Sequence, residues 1–206
     1  MERVSCMMIG YVFGSFLTAE VIARTVAKTS IFMLGDGNPG MANVGRELGK
    51  KAAIICLLGD ILKTVAAVII SHAIYPQLEG YATAWAGLGS TLGHIFPFWH
   101  RFRGGKGVAT IASSIILMAP LWGLLAGIVG VLAIIFSGYL SVAAVVAMAF
   151  YVGAMLFLGD AEFVCIALVF QLITVFCHYS KLCGIRDGTT HRAGLSIRFW
   201  NMFRRK

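Results

Sequence analysis

The sequence predicts an all-α fold: a polytopic membrane bundle of about seven apolar segments, some of them short or broken. Three observations carry that expectation. The 206 residues are 59% hydrophobic and only 13% charged, where a soluble domain carries about a quarter charged residues. No Asp, Glu, Lys or Arg occurs from Val108 to Gly159, which is enough chain for two or more spans at roughly 20 residues each. Cations gather in the connections and the tail and leave a net charge of +8. In such a chain that excess concerns topology and anionic lipid; no nucleic-acid motif accompanies it. A single domain over 1–206 is expected. No removable signal peptide is expected, because the first apolar stretch lacks a small-residue cleavage site and contains Glu20 and Arg24. The five cysteines form no CxxC pair and read as small buried hydrophobes. No metal cluster is expected, and no cofactor.

The first segment covers about 4–26, with Gly10, Gly14 and Ser15 permitting close helix contact. Glu20 and Arg24 lie four apart on one face and are expected to pair. A polar, glycine-rich loop comes next, over 28–51. The second segment, about 52–74, carries Asp60 and Lys63 one helical turn apart. Ionisable groups inside a span are costly, so this pair either belongs to a functional site or supports one structurally. After a short loop over 75–81, the third segment runs over about 82–96 and ends near His94. Pro120 and the SGYLS break at 137–141 divide the apolar chain beyond residue 108. Residues 108–119 and 121–136 are expected as two short helices that dip in and return, then 142–158 leads out and 163–177 comes back.

Basic connections prefer the cytoplasmic side. Arg46, Lys50 and Lys51 place the first loop inside, and Arg101, Arg103 and Lys106 place the third connection inside. The tail holds Lys181, Arg186, Arg192, Arg198, Arg204, Arg205 and Lys206 against Asp187 alone. The N-terminus is therefore expected outside and the C-terminus inside.

Two stretches combine chemistry with backbone freedom. GHIFPFWHRFRGGKGVAT, 93–110, brings His94, His100, Arg101, Arg103 and Lys106 together with four aromatic rings. Gly104, Gly105 and Gly107 let the backbone turn and approach a ligand, and a helix starts after them. Free N–H groups at a helix start, together with the lysine, suit an anion. Interfacial anchoring is the plainer reading of the rings and cations, but it leaves the GGKG unexplained. GDGNPGMANVGRELGKK, 35–51, is turn-forming around Asp36, Asn38 and Gly40. Asn43 and Arg46 then share a helix face. An amide beside a guanidinium grips phosphate or carboxylate, and the alternative is a solvated turn with a positive-inside flank. Two such loops on one side of a small bundle suit a phosphorylated, water-soluble substrate meeting a lipid-borne one.

These motifs resemble those of the acyl-phosphate:glycerol-3-phosphate acyltransferases, the PlsY family of bacterial inner-membrane enzymes. YVFGSF resembles the family's first-helix pattern, the 35–51 run its GSGNPGATNVxRxLGKK loop, GDILK its DxLKG helix, and 93–110 is close to a literal match to the second motif. GYLSVAA resembles the stretch bearing an active-site serine, Ser141 here. The resemblance implies a seven-helix enzyme that moves an acyl group from acyl-phosphate to the 1-hydroxyl of glycerol 3-phosphate. Lysophosphatidic acid is the product, and no cofactor is needed. Carried over, Arg46 and Lys106 bind substrate phosphates, Gly104, Gly105 and Gly107 hold phosphate through N–H groups, and Ser141, Asn38 and Asn43 orient the hydroxyl. His94 and His178 also sit on matching positions. Asp36 stands where the family has serine, Ala42 where it has threonine, and Lys181 and Thr190 replace an asparagine and a glutamate of the third motif. Those departures leave open a paralogue with another acceptor or no activity, and the basic inner mouth with short broken helices leaves open a small anion transporter.

Overall fold

The computed structural model describes residues 1–204, with the backbone alone at positions 198, 203 and 204. Arg205 and Lys206, counted above among the inner cations, lie outside the described residues, as do the side chains of Arg198 and Arg204. The described chain is helical throughout: α1 Glu2–Gly14, α2 Thr18–Ile22, α3 Met41–Glu47, α4 Lys50–Ile74, α5 Gly80–Ile95, α6 Val108–Met118, α7 Pro120–Ser137, α8 Leu140–Leu158, α9 Ala161–Arg186 and α10 Gly194–Arg204. Five stretches are long and apolar enough to cross a membrane: Glu2–Ala27, Lys50–Ile74, Pro120–Ser137, Leu140–Leu158 and Ala161–Arg186. With the shorter α5 and α6 they make up the seven expected segments. The chain forms two compact units, Met1–Met118 and Ala119–Lys206.

The first unit is built on small residues. α1 presents Gly10 and Gly14, and α5 presents Gly89 and Gly93. A Cβ on Gly10 or Gly14 would strike the backbone of Ala86 or Ser90, and one on Gly89 or Gly93 the backbone of Met7, Tyr11 or Ser15. Each helix therefore carries a GxxxG face, and the two backbones meet directly. In lipid, where apolar side chains gain nothing by leaving the solvent, close van der Waals contact of this kind drives association. α4 packs against both, α6 packs on α5, and α3 lies against α4.

The first segment is not the continuous helix expected over 4–26. It breaks at Ser15–Leu17 and ends in a π-helical turn over Ala23–Ala27. The break releases carbonyls, and distant side chains take them: Trp99 Nε1 donates to Ser15 C=O at 2.9 Å and Lys63 Nζ to Phe16 C=O at 2.8 Å. Non-helical backbone at membrane depth persists only when its polar groups are satisfied in this way.

In the second unit α7, α8 and α9 pack in sequence, and α10 lies against α7. Two expectations are corrected here. α7 was expected as a short helix, but Pro120 takes the first helical turn, where no intrahelical N–H bond is lost, and the helix runs 18 residues to Gly138. Only α6, at 11 residues, is short. α9 continues past Cys177 to Arg186: the cations Lys181 and Arg186 favour a helix C-terminus, Gly184 stays helical, and left-handed backbone comes only at Gly188, at φ 71°.

Candidate functional site

The first loop is held from both ends. Glu20, buried in α2, pairs with Arg24 at 2.6 Å and accepts bonds from Ser30 Oγ at 2.9 Å and Ile31 N–H at 2.8 Å. At the other end Asn43 is fully buried. Its Nδ2 donates to Leu34 C=O at 2.9 Å, and its Oδ1 accepts from Asp36 N–H at 3.2 Å and from Arg46 Nη2 at 3.4 Å. Asn43 thus ties both strands of the turn to the helix carrying Arg46. Gly35 allows this, since at φ 54° a Cβ would fall on Asn43 Oδ1. Asn38 N–H bonds Asp36 Oδ1 at 3.3 Å, and its carbonyl accepts from Gly40 N–H at 2.9 Å, just before α3 begins. Asp36 also pairs with Arg46 at 2.9 Å, and that guanidinium is about half exposed. The carboxylate that replaces the family's serine therefore has its counter-charge within the same loop.

The second loop is laid over a buried polar cluster. In α4, Asp60 and Lys63 pair at 2.8 Å, with both side chains almost wholly buried. Lys63 Nζ also lies 2.8 Å from His94 Nδ1. An ammonium only donates, so Nδ1 accepts and the ring proton sits on Nε2. Gly105 lies over Nε2, where a Cβ would fall on that atom. Gly104 is packed against the carbonyls of His94 and Ile95 and the Pro97 ring. The link therefore runs from Asp60 through Lys63 and His94 to the two glycines before Lys106. Asp60 and Lys63, left undecided by the sequence, are the support beneath the GGKG turn.

This arrangement corrects part of the sequence reading. Gly105 N–H donates to His94 C=O at 3.0 Å, so it closes the end of α5 and is spent within the protein. The positive φ falls at Gly107, at 74°, whose carbonyl accepts from Ile111 N–H at 2.8 Å as α6 begins. The first N–H groups of α6, at Val108, Ala109 and Thr110, have no intrahelical acceptor by geometry. They are the backbone donors that the turn presents.

Both loops belong to one end of the first unit. The FWHRFR stretch is tied to α1 by Tyr11 Oη donating to Phe96 C=O at 2.6 Å and by Trp99 to Ser15. The first loop is tied to α2 through Glu20. The two meet where the Phe32 and His100 rings stand 5.7 Å apart. Arg101 and Phe102 both take left-handed backbone, at φ 55° and 58°, which turns the chain sharply before the glycines.

Ser141 and His178 belong to the second unit. Ser141 lies in the first turn of α8, is 4% exposed, and its hydroxyl has no hydrogen-bond partner among the described residues. A buried hydroxyl in that state costs free energy unless a ligand completes it. His178 is buried in α9, with Nδ1 2.9 Å from Thr174 C=O. Thr190, which replaces the third motif's glutamate, bonds Lys181 C=O at 2.7 Å and so closes the last turns of α9. Among the described residues no group of three His, Cys, Asp or Glu side chains is placed to hold a metal ion.

Residues 4–188 match the family model described as glycerol-3-phosphate acyltransferase. The chain is 31% identical over 200 residues to a glycerol-3-phosphate acyltransferase of Halalkalibacterium halodurans, covering 94% of this chain and 97% of that one. It is 34% identical over 199 residues to one from Nitrosospira multiformis, covering 94% and 98%. A stronger but shorter match, 46% over 113 residues, joins it to glycerol-3-phosphate acyltransferase 1 of Lactobacillus acidophilus, where the chain spans about half the relative's length, 54%. Among solved structures it is similar to the crystal structure of PlsY, an integral membrane glycerol 3-phosphate acyltransferase, in its glycerol 3-phosphate form, with TM-score 0.84, 27% identity and 94% and 96% of the two chains covered. The lysophosphatidic acid form matches with TM-score 0.82 and 28% identity over 95% and 97%.

Proposed function

From the premise that this chain belongs to the PlsY family of integral-membrane glycerol-3-phosphate acyltransferases, we propose that it transfers an acyl group from acyl-phosphate to the 1-hydroxyl of glycerol 3-phosphate. The hydroxyl oxygen attacks the acyl carbonyl carbon and forms the ester. The bond from that carbon to the bridging oxygen breaks, phosphate leaves with the electron pair, and a phosphate oxygen takes the hydroxyl proton. Lysophosphatidic acid and inorganic phosphate result, with acyl chain and product held in membrane lipid. The single observation that carries this reading is the meeting of the Arg46 loop and the Lys106 loop at one end of the first unit, through Phe32 and His100.

Acyl-phosphate is already activated, so the protein's task is placement and charge. Holding two reactants in line supplies up to about 7–11 kcal/mol of the barrier in ideal cases. Lys106 and Arg46 bind substrate phosphate and stabilise the departing one. The N–H groups at the start of α6 add backbone donors. Asn43 positions Arg46, and His94 positions the glycines. Ser141, with its uncompleted hydroxyl, orients the attacking oxygen. Asp36, Asn38 and Gly40 shape the first loop, and His178 is assigned to the substrate-binding set. Both units, 1–206, work as one acyltransferase domain in this reading. In this reading the protein sits in the bacterial inner membrane, and the charge of its basic loops favours the N-terminus outside and the C-terminus inside.

Acyl transfer by the protein purified in detergent, from acyl-phosphate to radiolabelled glycerol 3-phosphate, tests this. Labelled lysophosphatidic acid is expected, and Lys106→Ala and Arg46→Ala should each lower its rate by roughly 100-fold or more, in the range for losing one transition-state donor. Full activity in both variants would overturn the assignment. The Asp36–Arg46 pair favours a second reading, an altered acceptor, because it weakens the cation offered to glycerol 3-phosphate.

A further inference from the structure

The family match stops at residue 188, yet the chain continues into an ordered helix, α10 Gly194–Arg204. This helix is fixed to the second unit at one place. Ser196 Oγ and Trp200 Nε1 both donate to Ile135 C=O, each at 3.0 Å. That carbonyl is among the last of α7, which have no intrahelical donor. Ala193 N–H donates to Gly138 C=O at 2.7 Å, and the Arg192 guanidinium lies over the Tyr139 ring. α10 therefore caps the turn between α7 and α8, two helices each long enough to cross a bilayer. A hairpin turn of that kind lies at a membrane face, so α10 lies there too.

Its outward side is apolar. Leu195 and Met202, two turns apart on one helix face, are 50% and 64% exposed. The sequence after Asp187 carries Arg192, Arg198, Arg204, Arg205 and Lys206 with no Asp or Glu. A helix that exposes Leu195 and Met202 in a stretch with a surplus of cations has the composition that settles in the headgroup layer. An aqueous protein partner would have to cover a greasy strip that already stands at lipid depth. The charge excess fits anionic headgroups, whose surface potential attracts such segments.

We infer that α10 is an interfacial helix that docks on anionic phospholipid headgroups and holds the α7–α8 turn against that leaflet. Ser141 lies in the first turn of the next helix, three residues beyond Gly138. The inference stands apart from the acyl-transfer reading, because it is tested by binding alone.

Backbone hydrogen exchange of residues 191–202 in the full chain, reconstituted in nanodiscs, is the test. One set of discs holds phosphatidylcholine only and the other includes phosphatidylglycerol. Exchange in α10 should be about tenfold slower with phosphatidylglycerol, as expected for a few cations at a charged surface. High salt should remove that difference, and so should the double substitution Arg192→Gln with Arg198→Gln. Unchanged exchange in α9 reports that the variant is folded, and the salt series on the unaltered chain serves if it is not. Equal exchange in both discs would overturn the inference. So would slowing that survives high salt, because apolar insertion or a protein contact then holds the helix.

Discussion

The two units bury different kinds of polar group. The first encloses charged side chains, Glu20, Asp60 and Lys63, together with His94 and Asn43, each with a named partner. Its buried hydroxyls of Thr18, Ser71 and Thr91 have no hydrogen-bond partner among the described residues. The second encloses hydroxyls, an amide and one histidine, and several are left incomplete: Ser141 Oγ, Tyr151 Oη and Gln171 Oε1 have no hydrogen-bond partner among the described residues. The difference stems from helix spacing. Where GxxxG faces bring α1 and α5 into backbone contact, small residues leave room for Lys63 to reach across to Phe16 and His94. Where α7, α8 and α9 are long and apolar, a hydroxyl can fall back on its own helix, as Thr174 Oγ1 does in donating to Phe170 C=O at 2.8 Å. One unit is preorganised by a buried charge network; the other buries hydroxyls, an amide and a histidine instead.

The comparison is broken most severely by removing one member of the network. Asp60→Ala leaves the Lys63 ammonium buried without its carboxylate. The cost of such a loss is about 3–5 kcal/mol. Thermal unfolding in detergent should show it as a large drop in midpoint. Tyr151→Phe, in the second unit, deletes a hydroxyl that bonds nothing described, so it should be neutral or slightly stabilising. Equal destabilisation by the two substitutions would erase the contrast between the units.

Asp36→Ser has a smaller effect, read in catalysis. The substitution restores the family's residue and frees Arg46 from its partner at 2.9 Å. If Asp36 only screens the guanidinium, acyl transfer to glycerol 3-phosphate should rise by about two- to fivefold, mainly through a lower KM, the size of one surface ion pair. Loss of activity would instead make Asp36 part of the reacting set, as a proton acceptor or as the residue that places a different acceptor. Steady-state kinetics over a range of glycerol 3-phosphate concentrations separates these outcomes.

The sequence made some of this legible and not the rest, for physical reasons. Helical spacing sufficed for the Glu20–Arg24 and Asp60–Lys63 pairs, because partners three or four apart meet on any helix. Glycine and proline marked both loops. Spacing did not reveal that Lys63 also serves His94, 31 residues away, since that contact depends on how closely α4 and α5 approach. It did not reveal that Gly105 gives its N–H to His94, because a glycine that approaches a ligand and one that approaches its own protein look alike in sequence. α10 was visible only as a run of cations. The apolar spacing of Leu195, Phe199 and Met202 was the signal for a helix there.

The smallest effect concerns the position where the third motif departs furthest. Thr190 stands in place of a glutamate, and its hydroxyl bonds the Lys181 carbonyl at 2.7 Å while its N–H bonds Gly184 C=O at 3.0 Å. With Thr189 N–H on the same Gly184 carbonyl at 2.8 Å, the chain folds back and closes the last turns of α9 before α10 begins. A lone threonine bond to a helix carbonyl contributes about 0.5–1.5 kcal/mol. Thr190→Val keeps the shape and removes the hydroxyl, so hydrogen exchange over 181–186 should quicken about threefold to tenfold while global unfolding hardly moves. A large fall in acyl transfer without that local change would mean that the threonine touches substrate. Faster local exchange with activity retained would show that in this chain the third motif has passed from the substrate to the end of a helix.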